Sequence, residues 1–162
     1  MEFEPSRLRR GEVIVGASAI VLLTLMFVAP WYGFTGEAER SAHALGVSTT
    51  VTGWQQLTTL RWLMLVTIAA ALALTVLQGT RAAPALPASF SVIALVLSVI
   101  TSLALIYRLI ESPAPLLSPK VGAFLGLLLA LVMSYGAFRS LREEDPPDPA
   151  RSAAIPTVRF DS

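Results

Sequence analysis

Among side chains that could do chemistry, this chain holds one histidine, His43, and no cysteine. The lack of thiols removes disulfide frameworks, thiolate metal sites, iron–sulfur ligation and thiol–disulfide exchange together. A bis-histidine haem needs two imidazoles, which one such chain cannot supply. Glu37 and Glu39 stand close to His43 in the sequence, and the trio could in principle meet a divalent ion. A closed zinc site wants four ligands, however, and this spacing fits none. The three therefore read as solvated helix-start or loop residues. No nucleophile–base pair and no carboxylate couple at a fixed site is visible, nor is a Gly-rich phosphate loop. A net charge of +1 gives no clustered basic face for a nucleic acid. The sequence thus predicts no catalytic residue, no cofactor, no metal and no enzyme.

The remaining polar chemistry sits at the edges of long apolar runs. Arg61 and Arg108 flank two of them, with Glu111 one turn beyond Arg108. Glu12 opens the first run and could pair with Arg81 or Arg139. Ionisable groups within a membrane are functional candidates by default, but at its edges long side chains snorkel to water. Structural pairing is one reading of these residues. The other is that Arg61 and Arg108 converge on an anionic headgroup or substrate at the outer surface. No run carries an ionisable group near its middle, which speaks against proton relays and ion-coupled carriers.

The elements that position these groups follow from composition. The chain is 54% hydrophobic and 14% charged, against roughly 25% charged in soluble domains. The apolar residues fall in four blocks, about residues 12–30, 59–79, 89–109 and 120–139. About 20 residues of helix cross a hydrocarbon core, and lipid offers no partner to unpaired backbone groups. The expected fold is an all-α membrane protein. Residues 1–140 would form an antiparallel four-helix transmembrane bundle with a longer first outer loop at 31–58 that could hold a short β segment. Residues 141–162 would be a disordered tail, since acids interleaved with prolines cannot bury enough apolar area to order themselves. The first run is too long for a signal-peptide core, and Pro30 follows its only small-residue end.

Lys and Arg set the orientation. Arg7, Arg9, Arg10, Arg81, Arg139, Arg142, Arg151 and Arg159 lie on one side, against Arg40, Arg61, Arg108 and Lys120 on the other. The richer side is cytoplasmic, which predicts a multi-pass protein of the plasma (inner) membrane with both termini in the cytoplasm.

Small residues permit close helix packing in lipid, where the hydrophobic effect does not drive association. Ridges at four-residue spacing occur as Gly122, Gly126, Ala130 and Ser134, as Thr67, Ala71, Thr75 and Gly79, and as Ala94, Ser98 and Ser102. A looser cluster runs from Gly16 to Ala19. The ridges either seal one bundle or, most readily for the Gly122 ridge, face a partner. In the outer loop, Val47, Thr49 and Val51 alternate as in a strand, Gly53 would end it, and Thr58 or Thr59 could cap the second helix. Trp31, Tyr32, Phe34 and Trp54 form an aromatic set, either an interfacial belt or a docking platform. The leading expectation is a membrane subunit or scaffold that contacts another membrane protein or itself through a helix face and the outer loop. The alternative is a binder or carrier of lipid or an apolar small molecule.

Leu8-Arg9-Arg10-Gly11-Glu12, an apolar span closing on Pro30-Trp31-Tyr32, and then Gly53-Trp54 together resemble small uncharacterised four-span bacterial membrane proteins. The likeness covers nearly the whole chain up to Glu144, and it implies no activity. A looser likeness is to claudin-type tetraspans, which place one Trp after the first helix and a Gly-x-Trp later in the first outer loop. Trp31 and Gly53-Trp54 mimic that arrangement.

Overall fold

The computed structural model describes residues 10–80, 89–112 and 114–144. Its elements run α1 (Arg10–Val28), β1 (Pro30–Phe34), α2 (Glu37–Ala44), β2 (Thr50–Thr52), α3 (Gly53–Gln56), α4 (Leu60–Thr80), α5 (Ser89–Ile110), β3 (Leu117–Pro119) and α6 (Val121–Glu144). Four of the helices, α1, α4, α5 and α6, are long and apolar enough to cross a membrane. Large apolar side chains such as Ile20, Val66, Leu103 and Leu128 stand exposed on them. In water that surface would be a liability, whereas in lipid it is the solvent-facing side. The chain is a multi-pass membrane protein.

The four helices close into a ring, α1 packing on α4 and α6, and α5 packing on the same two. Small residues set the approach. A Cβ added to Gly11 would lie 2.9 Å from the Gly136 carbonyl oxygen and 2.9 Å from the Ser140 nitrogen, so α1 and α6 touch backbone to backbone. A Cβ on Gly16 would lie 2.8 Å from Thr75 Oγ1, which seats α1 on α4. Between α4 and α5 the contact is polar, with the Thr67 and Thr101 hydroxyls 2.7 Å apart and both residues buried. Lipid supplies no water to a hydroxyl, so several of them take a carbonyl of their own helix. Thr67 bonds Leu63 O at 2.9 Å, Ser98 bonds Leu95 O at 2.9 Å, and Ser102 bonds Ser98 O at 2.8 Å.

The chain is mostly helical, and the β segment expected in the first outer loop is one strand of a three-stranded antiparallel sheet, order β2-β1-β3, at one end of the ring; the sequence predicts neither β1 nor β3. β1 leaves α1 directly, β3 leads into α6, and β2 leads through α3 into α4. The Tyr32 hydroxyl donates to the Arg108 carbonyl at 3.3 Å, tying in the end of α5. The sheet thus gathers one end of every spanning helix. Pro30-Trp31-Tyr32 accordingly both closes α1 and opens a strand, and residues 117–119 pair with it. Both stretches are too short to show alternation, and only their partners make them strands. The expected strand near Val51 appears as β2 alone, and Gly53 ends it by opening α3.

Residues 141–144, expected in the loose tail, continue α6. Leu141-Arg142-Glu143-Glu144 are good helix formers, and this local preference outweighs the polarity of the stretch. The expected inner loop at 81–88 and the rest of the expected tail at 145–162 lie outside the described residues.

Candidate interface at the sheet end

The sheet end is organised around Trp31. A β-bulge between Pro30 and Tyr32 leaves Trp31 unmatched to β2. A bulge re-aims a side chain, and here it turns the indole down into the bundle, where Trp31 is 0% exposed. Its Nε1 donates to Leu25 O at 2.9 Å, and its own carbonyl accepts from Lys120 N at 2.8 Å. Three glycines make the socket. A Cβ would lie 2.8 Å from the indole Cδ2 at Gly53 and 2.7 Å from Cζ2 at Gly126. At Gly122 it would lie 2.6 Å from the Pro30 carbonyl oxygen. The glycines of α3 and α6 are therefore the space that this one ring occupies.

That packing locates the residues singled out in the sequence. Gly122, Gly126 and Ala130 are buried within the chain, and the half-buried Ser134 donates to Ala130 O at 2.9 Å. The ridge is taken up by Trp31, β1 and the neighbouring helices, and does not stand on an outer face. Of the four outer-loop aromatics, Trp31 and Tyr32 are buried while Phe34 and Trp54 are half-buried. They do not form one surface platform. Burial pushes the Tyr32 phenol above its ordinary pKa of 10.0, partly opposed by the nearby Arg108 charge. The cause is desolvation, which disfavours the phenolate.

Arg61 and Arg108 sit in different settings. Arg108 lies in the last turn of α5, where a cation complements the helix dipole. Arg61 lies in the first turn of α4, where the dipole opposes it. Its guanidinium carbon is 4.9 Å from the Trp54 ring centroid and 5.5 Å from that of Trp62. Phe27 stacks on Trp54 at 5.0 Å, and Trp62 meets Trp54 edge-on at 6.1 Å. One guanidinium nitrogen, Nη1, donates to Trp54 O at a long 3.4 Å, and Nε is buried with no hydrogen-bond partner.

Glu37, Glu39 and His43 all lie on α2, the acids in its first turn and the imidazole in its last. That placement complements the dipole. Among the described residues no group of three or more His, Cys, Asp or Glu could hold a metal ion. α2 is closed at its C-terminal end by a Schellman motif, with Gly46 N bonding His43 O at 3.2 Å and Val47 N bonding Ala42 O at 3.0 Å. Gly46 has φ 66° and Gly36, before the helix, has φ 67°, values that glycine alone adopts without strain. No residue of α2 is buried. Sequence reasoning missed this helix, although glycines ten residues apart around Glu-Ala-Glu-Arg-Ser-Ala-His-Ala were a usable start-and-stop signal. It also missed the capping box of α3, in which Gln55 N bonds Thr52 Oγ1 at 3.4 Å and Thr52 N bonds Gln55 Oε1 at 3.1 Å. Thr-x-x-Gln carries that signature openly.

Fold and site together define a class: a mostly helical multi-pass membrane protein of four apolar helices under a small sheet. No family model, no curated protein and no solved structure matches the chain.

Proposed function

We propose that this protein is a non-enzymatic subunit or scaffold of the plasma (inner) membrane that holds α2 out to another protein. The sheet end faces away from the cytoplasm and both termini lie inside, as the bias of Arg and Lys toward the other end of the spans supports. The carrying observation is that α2 is a helix closed by a C-terminal cap with no buried residue, set on a sheet whose central strand is buried at Trp31 and Tyr32. A helix of 8 residues is marginal on its own in water. The protein invests glycines in starting and stopping it, yet buries none of its side chains. Leu45 and Val47, just beyond it, are also exposed. A surface of this kind gains its stability when a partner covers it.

The test exploits the hairpin beneath. Gly33 pairs with Thr50, and Phe34 N bonds Thr49 O at 2.9 Å. Residues 35–48 can therefore be replaced by Asn-Gly, the two-residue turn that suits such a hairpin. In the parent chain a photoreactive side chain at position 40 should form a protein crosslink in native membranes, and the excised variant, its bundle unchanged, should no longer co-purify with the protein so captured. A crosslinker at Phe124, which is exposed on α6, should give lipid adducts instead. If position 40 yields only lipid adducts or none, α2 is not the contact.

A further inference from the structure

We infer that the corner where α1, α3 and α4 meet the sheet end binds the phosphodiester of one anionic lipid, with Arg61 as its ligand. Arg61 is a cation without a counter-ion, since among the described residues no carboxylate pairs with it. Its one protein acceptor, Trp54 O at 3.4 Å, is long for a charge-assisted bond. Its Nε is buried and bonds nothing. Nε is closed off, so the charge can be met only at the guanidinium nitrogens that are not buried, where the half-buried side chain is open to an external acceptor that carries negative charge. The positive end of the α4 dipole adds to the demand.

The geometry selects the class of acceptor. The Trp54 and Trp62 rings hold the guanidinium at 4.9 and 5.5 Å, which limits the positions its donor edge can take. A planar fork of donors suits a phosphate, which accepts two parallel bonds. The rings also say where that phosphate comes from. Phe27 is 48% exposed and Trp62 57% exposed at the ends of membrane-spanning helices, where aromatic rings lie at headgroup depth. An acyl chain can run down this apolar edge below a phosphate bound at Arg61. A free anion gains nothing from those rings. The site does not involve α2, so it stands independently of the proposed protein contact.

The experiment uses the full chain, delipidated in neutral detergent and read by native mass spectrometry. Phosphatidylglycerol, phosphatidylcholine or inorganic phosphate is added. One phosphatidylglycerol should be retained per chain in preference to phosphatidylcholine. R61Q should weaken that retention at least about tenfold, the loss expected for one charge-assisted bond. R61K should weaken it less, and K120Q, an equal loss of charge at the same end, should leave it unchanged. W62A changes an exposed ring and carries the test should R61Q fail to fold; it too should weaken retention. Retention in R61Q or W62A equal to that of the parent chain overturns the site. Equal retention of phosphatidylcholine overturns its anionic selectivity. Displacement of the lipid by millimolar inorganic phosphate overturns the lipid assignment in favour of a free-anion site.

Discussion

Replacing Gly126 by Ala places two known effects in opposition. In an unobstructed helix interior the change gains about 1 kcal/mol of helix propensity. Here the new methyl carbon would lie 2.7 Å from Cζ2 and 3.0 Å from Cζ3 of Trp31. The indole is fully buried and anchored by its bond to Leu25 O, so it has nowhere to move. Overpacking of this kind costs about 1–3 kcal/mol, which should make G126A destabilising. The sharper test is a rescue. A Phe at position 31 has no atoms where the outer part of the indole lies, so the obstruction at Gly126 disappears. W31F alone loses the Nε1 bond and leaves a cavity, together about 1–3 kcal/mol. In the W31F background, G126A should then be neutral or stabilising, a coupling of at least about 1 kcal/mol. G122A should show far less rescue, because its nearest obstacle is the Pro30 carbonyl oxygen at 2.6 Å, which W31F leaves in place. Reversible unfolding in mixed micelles, followed by the fluorescence of Trp54 and Trp62, measures all five variants. If G126A and W31F simply add, or if G126A alone stabilises, the ring does not fill the glycine socket.

Two further outcomes follow from the packing. Tyr32 has a phenol pKa raised in the folded chain. Above the ordinary value of 10.0 the unfolded chain loses this proton while the folded chain keeps it, so stability should fall as pH climbs from there toward the folded value. Melting curves of parent and Y32F across that range should diverge, and parallel curves would reject the linkage. At the α4–α5 contact, T67V and T101V each remove one side of the 2.7 Å hydroxyl pair. A double-mutant cycle should return about 0.6–1.7 kcal/mol of coupling, the range for hydrogen bonds between membrane helices. Zero coupling would mean that the bond from Thr67 to Leu97 O on α5 carries the contact instead.

The spans were legible in the sequence because the cost of burying unpaired backbone in lipid depends on composition and length, and both are local. The α1 run, its stop at Pro30 and the small-residue spacing on α5 and α6 could all be read residue by residue. Which way a small residue faces is a different matter. Gly122 and Gly126 look the same in the sequence whether they face another protein or leave room for an indole, and only the bulge at Trp31 decides between them. The strands were hidden for a similar reason. Pro30–Phe34 and Leu117–Pro119 have no pattern of their own, and they pair because residues more than 80 positions apart are brought together by the closing of α1 and α6. Arg61 shows the same division. Its charge at the edge of a span was evident from the sequence, but its lack of a carboxylate partner among the described residues and its aromatic frame arise from three separate elements. Local chemistry sets which segments leave water, and the tertiary structure sets which side chains are left without partners when they do.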